Sequence, residues 1–199
     1  MRLTLGTQSV DLATRALVIG PPGPDAPDVV EITPAAAADS RRPMAAWVDP
    51  TRPALAAALD AGVELVGTSD PDVPLVELLP RCAATVTTVV VSAAGGSFDA
   101  VRARLVECAH QGEAAGFPPD RIVVEPILTT ALLPHIRRFA ELGYPLLLTV
   151  TASVAARLRG DQDALTALAV IEGARLIRTD AVKSAVRVCR VVSAILEAR

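Results

Sequence analysis

Three short apolar runs decide the fold: Arg121-Ile-Val-Val-Glu125, Pro145-Leu-Leu-Leu-Thr-Val150 and Arg175-Leu-Ile-Arg-Thr-Asp180. None alternates polar with apolar residues, so none suits a strand with one wet face. Each suits a parallel strand buried on both faces. The longer segments after them repeat apolar residues every three or four positions, as crossover helices do. A strand-helix unit thus recurs about every 25 to 30 residues in the second half of the chain.

The same unit extends backwards with less regularity. A hairpin is expected over Arg2 to Leu12, turning at Gly6-Thr7-Gln8, and in front of a barrel it would plug the open bottom. Strand one is read at Arg15 to Ile19. The following Gly20-Pro-Pro-Gly-Pro-Asp-Ala-Pro27 excludes a helix, since proline removes donors and clashes with the preceding turn. Strand two, Asp28 to Ile32, is therefore reached without the usual crossover.

A weak helix over the alanines 35 to 38 and strand three at Met44 to Val48 come next. Asp49 is placed to cap the helix that Pro50 or Thr51 begins and Asp60 ends. Strand four is expected at Val63 to Val66, a short helix at Pro74 to Leu79 and strand five at Val86 to Val91. A long helix follows, capped by Ser97 or Asp99 and ending near Ala115. Strands six, seven and eight are Ile122 to Val124, Leu146 to Val150 and Leu176 to Arg178. The helical region after strand seven is divided at Gly160-Asp161. The final helix runs Val182 to Glu197 with Val188, Cys189, Val192, Ile195 and Leu196 inward.

Eight strands in β/α order predict an α/β fold: a (β/α)8 TIM barrel, with its first helix missing or replaced by the Pro/Gly loop and a small N-terminal hairpin in front. At 199 residues it is undersized beside the usual 250 or so, and the shortfall lies in the first half. The alternative is an open doubly wound sheet of fewer strands. One domain spanning 1–199 is expected.

Composition narrows the function. Half the residues are hydrophobic but only 3% are aromatic, which leaves few stacking platforms for bases. The formal charge of -3, with no Lys/Arg block, argues against nucleic-acid binding. No apolar run approaches the length of a membrane span and no signal peptide is visible, so a cytoplasmic protein is expected. Cys82, Cys108 and Cys189 read as small buried hydrophobes, and the only two histidines, His110 and His135, as surface or interface groups of helices.

The order of landmarks resembles dihydropteroate synthase. They are Gly6-x-x-x-Val10-Asp11-Leu12, Asp28-Val-Val-Glu31, Val48-Asp49-x-x-Arg52, Phe117 through Glu125-Pro126, Leu142 through Leu148, and above all Glu172-Gly-Ala-Arg-Leu-Ile-Arg178-x-Asp180. The resemblance implies a pterin-binding barrel, usually a homodimer using magnesium, that displaces pyrophosphate from a hydroxymethyl-dihydropterin pyrophosphate with p-aminobenzoate.

Position by position, Asp49 matches the family's Asp after strand three, and Glu125 stands for the Asp that grips pterin. Arg178 matches the strand-eight Arg, Asp180 replaces the His of Arg-x-His, and Lys183 matches a basic residue of the last helix. The family's Asn-x-Thr-Pro-Asp-Ser-Phe after strand one becomes Gly20-Pro21-Pro22-Gly23. Its strand-four Asn-Asp becomes Gly67 and Thr68, and its Ser-Arg-Lys becomes Thr151-Ala152-Ser153. A carboxylate at Asp180 repels pyrophosphate rather than holding it.

The ligand-binding candidates are therefore Asp49, Glu125, Arg178, Asp180 and Lys183, with Thr149, Thr151 and Ser153 as polar lining. Arg178, an Arg in an apolar strand, must find an anion, either external or supplied by Asp180 or Glu125. No metal ligand and no cofactor are expected, magnesium entering only if the synthase reaction is kept. The sequence favours a degenerate synthase relative that acts as a non-catalytic binding or partner protein, dimeric through its C-terminal helices, with a pterin or small metabolite as possible ligand. The alternatives are a dihydropteroate synthase or related pterin-using enzyme, and a structural subunit of a complex.

Overall fold

The computed structural model describes residues 1–13, 15–32, 42–48, 52–68, 82 and 84–198. The expected hairpin forms from β1 (Arg2–Leu5) and β2 (Gln8–Asp11) and turns at Gly6, whose φ of 57° lies in the left-handed region. Eight parallel strands follow: β3 (Leu17–Gly20), β4 (Val29–Glu31), β5 (Met44–Val48), β6 (Leu65–Thr68), β7 (Thr88–Ala93), β8 (Ile122–Pro126), β9 (Leu147–Thr149) and β10 (Leu176–Arg178). Their order in the sheet is β8-β7-β6-β5-β4-β3-β10-β9. The remaining gap is bridged by Val124 and Leu146, with the Val124 N–H donating to the Pro145 carbonyl at 2.9 Å, so the sheet curls into a thinly closed barrel. An open doubly wound sheet is ruled out by that pairing.

Around the barrel lie α1 (Arg52–Asp60), α2 (Phe98–Ala114), α3 (Ile136–Ala140), α4 (Ala152–Arg157), α5 (Gln162–Ile171) and α6 (Val182–Glu197). Local chemistry fixes their starts: Ser97, Thr151 and Asp161 each accept a backbone N–H of the first turn. No helix joins β3 to β4, where residues 21 to 28 form the expected Pro/Gly loop. The expected helices at 35 to 38 and Pro74 to Leu79 lie outside the described residues. Among the described residues no helix is long and apolar enough to cross a membrane.

Side-chain parity along the strands splits the core in two. One set, including Val18, Val30, Ala46, Val66, Val91, Val124, Leu148 and Ile177, packs outward under the helices. The other, including Leu17, Ile19, Val29, Ala45, Leu65, Val90, Val123, Leu147 and Leu176, fills the barrel together with Leu3, Leu5 and Leu12 of the hairpin. The hairpin is thus a plug, pinned by Thr4 donating to Asp120 at 2.7 Å and by the Thr88 hydroxyl donating to the Thr4 carbonyl.

Several boundaries differ from the sequence reading. Strands four and five start two residues later than expected, at Leu65 and Thr88. Val86 is 54% exposed and Thr87 spends its hydroxyl on the Val63 carbonyl below the barrel, so the β-branched run begins before the ladder does. Ile195 is 52% exposed, not inward. The buried stripe of α6 is Val182, Ala185, Cys189 and Val192, and residue 195 falls off that stripe.

Candidate functional site

Following the inward parity two residues past the apolar layer gives Glu31, Trp47, Gly67, Ser92, Glu125, Thr149 and Arg178. They sit at the C-terminal ends of seven strands. The same strands that read as apolar runs therefore crown the barrel with a polar ring. This is the face where barrels of this class place their chemistry.

Glu125 is 3% exposed and is held by two hydroxyls, Ser92 Oγ donating at 2.8 Å and Thr149 Oγ1 at 2.6 Å. Ser92 is its register partner on β7. Among the described residues no cationic group forms an ion pair with it. A buried carboxylate offers about four lone-pair directions, and two are filled from within.

Arg178 takes neither partner expected from sequence. Its Nε and Nη2 donate to the two oxygens of Glu31 at 2.9 and 2.6 Å, a bidentate pair with both side chains 25% exposed. Strand order explains the correction: β3 separates β10 from β4, and the guanidinium reaches across it inside the barrel. Its carbon also stands 4.0 Å over the Trp47 ring. Glu125, Arg178, Trp47, Ser92, Thr68 and Thr149 share one cavity of about 260 Å³, whose apolar wall includes Leu128 and Val154.

Asp180 is adjacent but differently employed. Its carboxylate accepts from the Ala152 N–H at 3.2 Å and from Gln162 Nε2 at 2.7 Å, so it ties the start of α4 to α5. It lines a second cavity of about 640 Å³ with Arg178, Glu31, Thr149, Thr151 and Ser153, against Pro21 and Pro22. Lys183 is exposed on the first turn of α6 and faces the Pro21–Asp25 loop in a separate recess that it shares with Asp180 but not with Glu125. Asp49 lies outside the described residues. His110 is exposed, and His135 is half-buried with its ring 5.0 Å from that of Phe98.

The structure thus brings Glu125 and Arg178 together, sets Asp180 beside them and leaves Lys183 apart. Glu31, Trp47 and Ser92 were missed as site residues. Their one sequence signal is the strand period, which makes the last inward residue of each strand a rim residue. Among the described residues no three His, Cys, Asp or Glu side chains converge to hold a metal ion.

A plugged (β/α)8 barrel with a buried carboxylate and an arginine at its C-terminal mouth is the class these features define. No family model and no curated protein sequence matches the chain. Solved structures do. The chain superposes on a Yersinia pestis dihydropteroate synthase bound to a sulfonamide drug with a TM-score of 0.83 at 16% identity, covering 100% of both chains. A Coxiella burnetii dihydropteroate synthase in complex with pteroic acid gives 0.80 at 16%, covering 99% of this chain and 100% of that one. A Xanthomonas albilineans dihydropteroate synthase with 4-aminobenzoic acid gives 0.78 at 21%, covering 98% of each. The chain has the dihydropteroate synthase fold.

Proposed function

We propose that the protein is a pterin-using relative of the dihydropteroate synthases that binds a pterin-class heterocycle through Glu125. One observation carries this reading: Glu125 is buried, hydrogen-bonded by two hydroxyls and without an ion-pair partner among the described residues, so it retains acceptor capacity toward the cavity. The 2-amino and ring N–H groups of a pterin are the complementary donors. A barrel kept only for docking to a partner has no need of such a carboxylate at its mouth. The fold and the site together therefore favour a ligand-using protein over the non-catalytic partner or structural subunit weighed from sequence.

The pyrophosphate end is altered. Pro21 and Pro22 offer no N–H donors, and the Asp180 carboxylate occupies the Ala152 N–H. Arg178 is already neutralised by Glu31. No step through magnesium is assigned. Four of the exposed large hydrophobics, Leu168, Ile171, Val191 and Ile195, lie on α5 and α6, and we assign that face to a homodimer.

Calorimetric titration with 6-hydroxymethylpterin tests the reading. A dissociation constant below about 100 µM is expected, roughly 5.5 kcal/mol of binding, weakened about tenfold or more in Glu125→Gln. Absence of binding by the wild type and by Trp47→Ala alike would remove the reading. Formation of dihydropteroate from the pterin diphosphate and p-aminobenzoate at an ordinary enzymatic rate would replace it with full synthase activity.

A further inference from the structure

At the inward end of β5 the Trp47 indole lies in a planar slot between two walls. Above it stands the Arg178 guanidinium, 4.0 Å from the ring centroid. Beside it is Gly67, its register partner on β6, where an added Cβ would come 2.7 Å from Trp47 Nε1. A glycine at this one position leaves room for an aromatic edge.

Two details mark the indole as a stand-in. Its N–H is buried with no acceptor, a cost that an indole turned toward water would recover. The Nε/Nη2 edge of Arg178 is committed to Glu31, and Trp47 covers one face of the guanidinium that a flat ring ligand could otherwise use. Trp47, Arg178 and Glu125 line the same cavity, so a ring held edge-on by Glu125 competes with the indole for that face.

We propose that Trp47 is an internal plug: it fills the planar slot under Arg178 in the empty protein and swings out when a ring ligand anchored on Glu125 takes its place. The proposal rests on the heterocycle reading of Glu125 given above. Its consequence is that part of the ligand's affinity is spent on displacing the indole, in proportion to how strongly the plugged state is favoured. A partly desolvated cation–π contact sets that factor at about tenfold.

The chain's single tryptophan makes the test direct. Protein labelled with 5-fluorotryptophan gives one fluorine resonance, which is followed while 6-hydroxymethylpterin is added, alongside calorimetry on wild type, Trp47→Ala, Gly67→Ala and Glu125→Gln. The expected result is a shift of the resonance at saturation and about tenfold tighter binding by Trp47→Ala. Gly67→Ala keeps the tryptophan but fills space that either ring would use, so binding is expected to weaken or stay unchanged there while Trp47→Ala tightens it. Binding by Trp47→Ala alone also supports the plug. Glu125-dependent binding with an unmoved resonance, and with Trp47→Ala unchanged or weaker, overturns it and makes Trp47 a fixed wall. No binding by wild type or by Trp47→Ala removes the Glu125 reading itself, and the plug with it.

Discussion

Replacing Glu31 by Gln tests whether the Arg178 pair is an internal strut of the barrel mouth. The substitution keeps the shape and removes the charge, leaving a guanidinium that is 25% exposed facing a neutral amide. Exposed pairs contribute about 0–1 kcal/mol, whereas breaking a fully buried pair costs about 3–5 kcal/mol. A bidentate pair one quarter exposed, on strands that stand two apart in the sheet, falls between these limits. A loss of about 2 kcal/mol is expected, which for a chain of this size lowers Tm by roughly 4–8 °C. The assay is reversible urea unfolding of wild type, Glu31→Gln, Arg178→Met and the double variant, read by far-ultraviolet circular dichroism. Because the two side chains touch, the double variant should be less destabilised than the sum of the singles, with a coupling of about 1–2 kcal/mol. The wild-type advantage should survive added salt, since a half-buried pair is poorly screened. A Glu31→Gln protein within about 0.5 kcal/mol of wild type, with no coupling to Arg178, would refute the strut and return Arg178 to the pool of groups free to bind an anion.

Other perturbations separate the remaining claims. Leu3→Ala removes a fully buried side chain from the barrel plug and should cost about 2–5 kcal/mol by urea unfolding. Gly173 and Gly143 both have positive φ, near 104° and 90°, but a Cβ at Gly173 would meet the Ala140 Cβ at 2.7 Å while one at Gly143 meets open space. Gly173→Ala should therefore destabilise clearly more than Gly143→Ala, which should lose about 1 kcal/mol. Burial pushes the Cys82 thiol up to about 11, and burial, aided by Asp28, pushes Cys189 up to about 12. Folded-state values raised in this way hold stability constant below pH 9 and lose it as pH climbs through 9 toward 12; a urea midpoint that stays flat to pH 10.5 would contradict the burial of these thiols. Val191→Glu with Ile195→Glu should shift sedimentation from dimer to monomer and abolish any dependence of the unfolding midpoint on protein concentration.

Much of the barrel was legible because buried parallel strands and their crossover helices carry strong periodic signals. The second half was placed almost residue for residue, with Ile136, Phe139 and Val182 to Glu197 where the pattern put them. The Pro/Gly loop after strand one announced the missing helix, since proline forbids one outright. Less legible was where each ladder begins. Val63 and Val86 look like strand residues by type, yet pairing starts at Leu65 and Thr88, and β-propensity carries no information about a neighbour's register. Reading strand five as stopping at Val91 also cut off Ser92, and with it the donor that holds Glu125. The partnership of Glu31 with Arg178 spans 147 positions and depends on barrel closure, so nothing local in the chain encodes it.

That distant pairing explains why Glu125 stands apart as the chemically open group. Had Arg178 turned toward β8, the mouth would hold one neutralised carboxylate and one loose glutamate at Glu31. Instead the barrel pairs Arg178 with Glu31, and among the described residues the donors to Glu125 are hydroxyls from β7 and β9. Hydroxyls can rotate and can also accept, so they leave room for an incoming N–H edge in a way that a bidentate guanidinium does not. Asp180 meanwhile fastens α4 to α5 through Ala152 and Gln162 and places a second carboxylate at the entrance. Arg157, on the same cavity, donates to the Leu128 carbonyl at 3.1 Å. A mouth that buries Glu125 with only part of its acceptor capacity used, sets Asp180 at the entrance and pairs Arg178 with Glu31 offers fixed acceptors to a donor-rich ring. This is the physical reason to look for the heterocycle before its diphosphate.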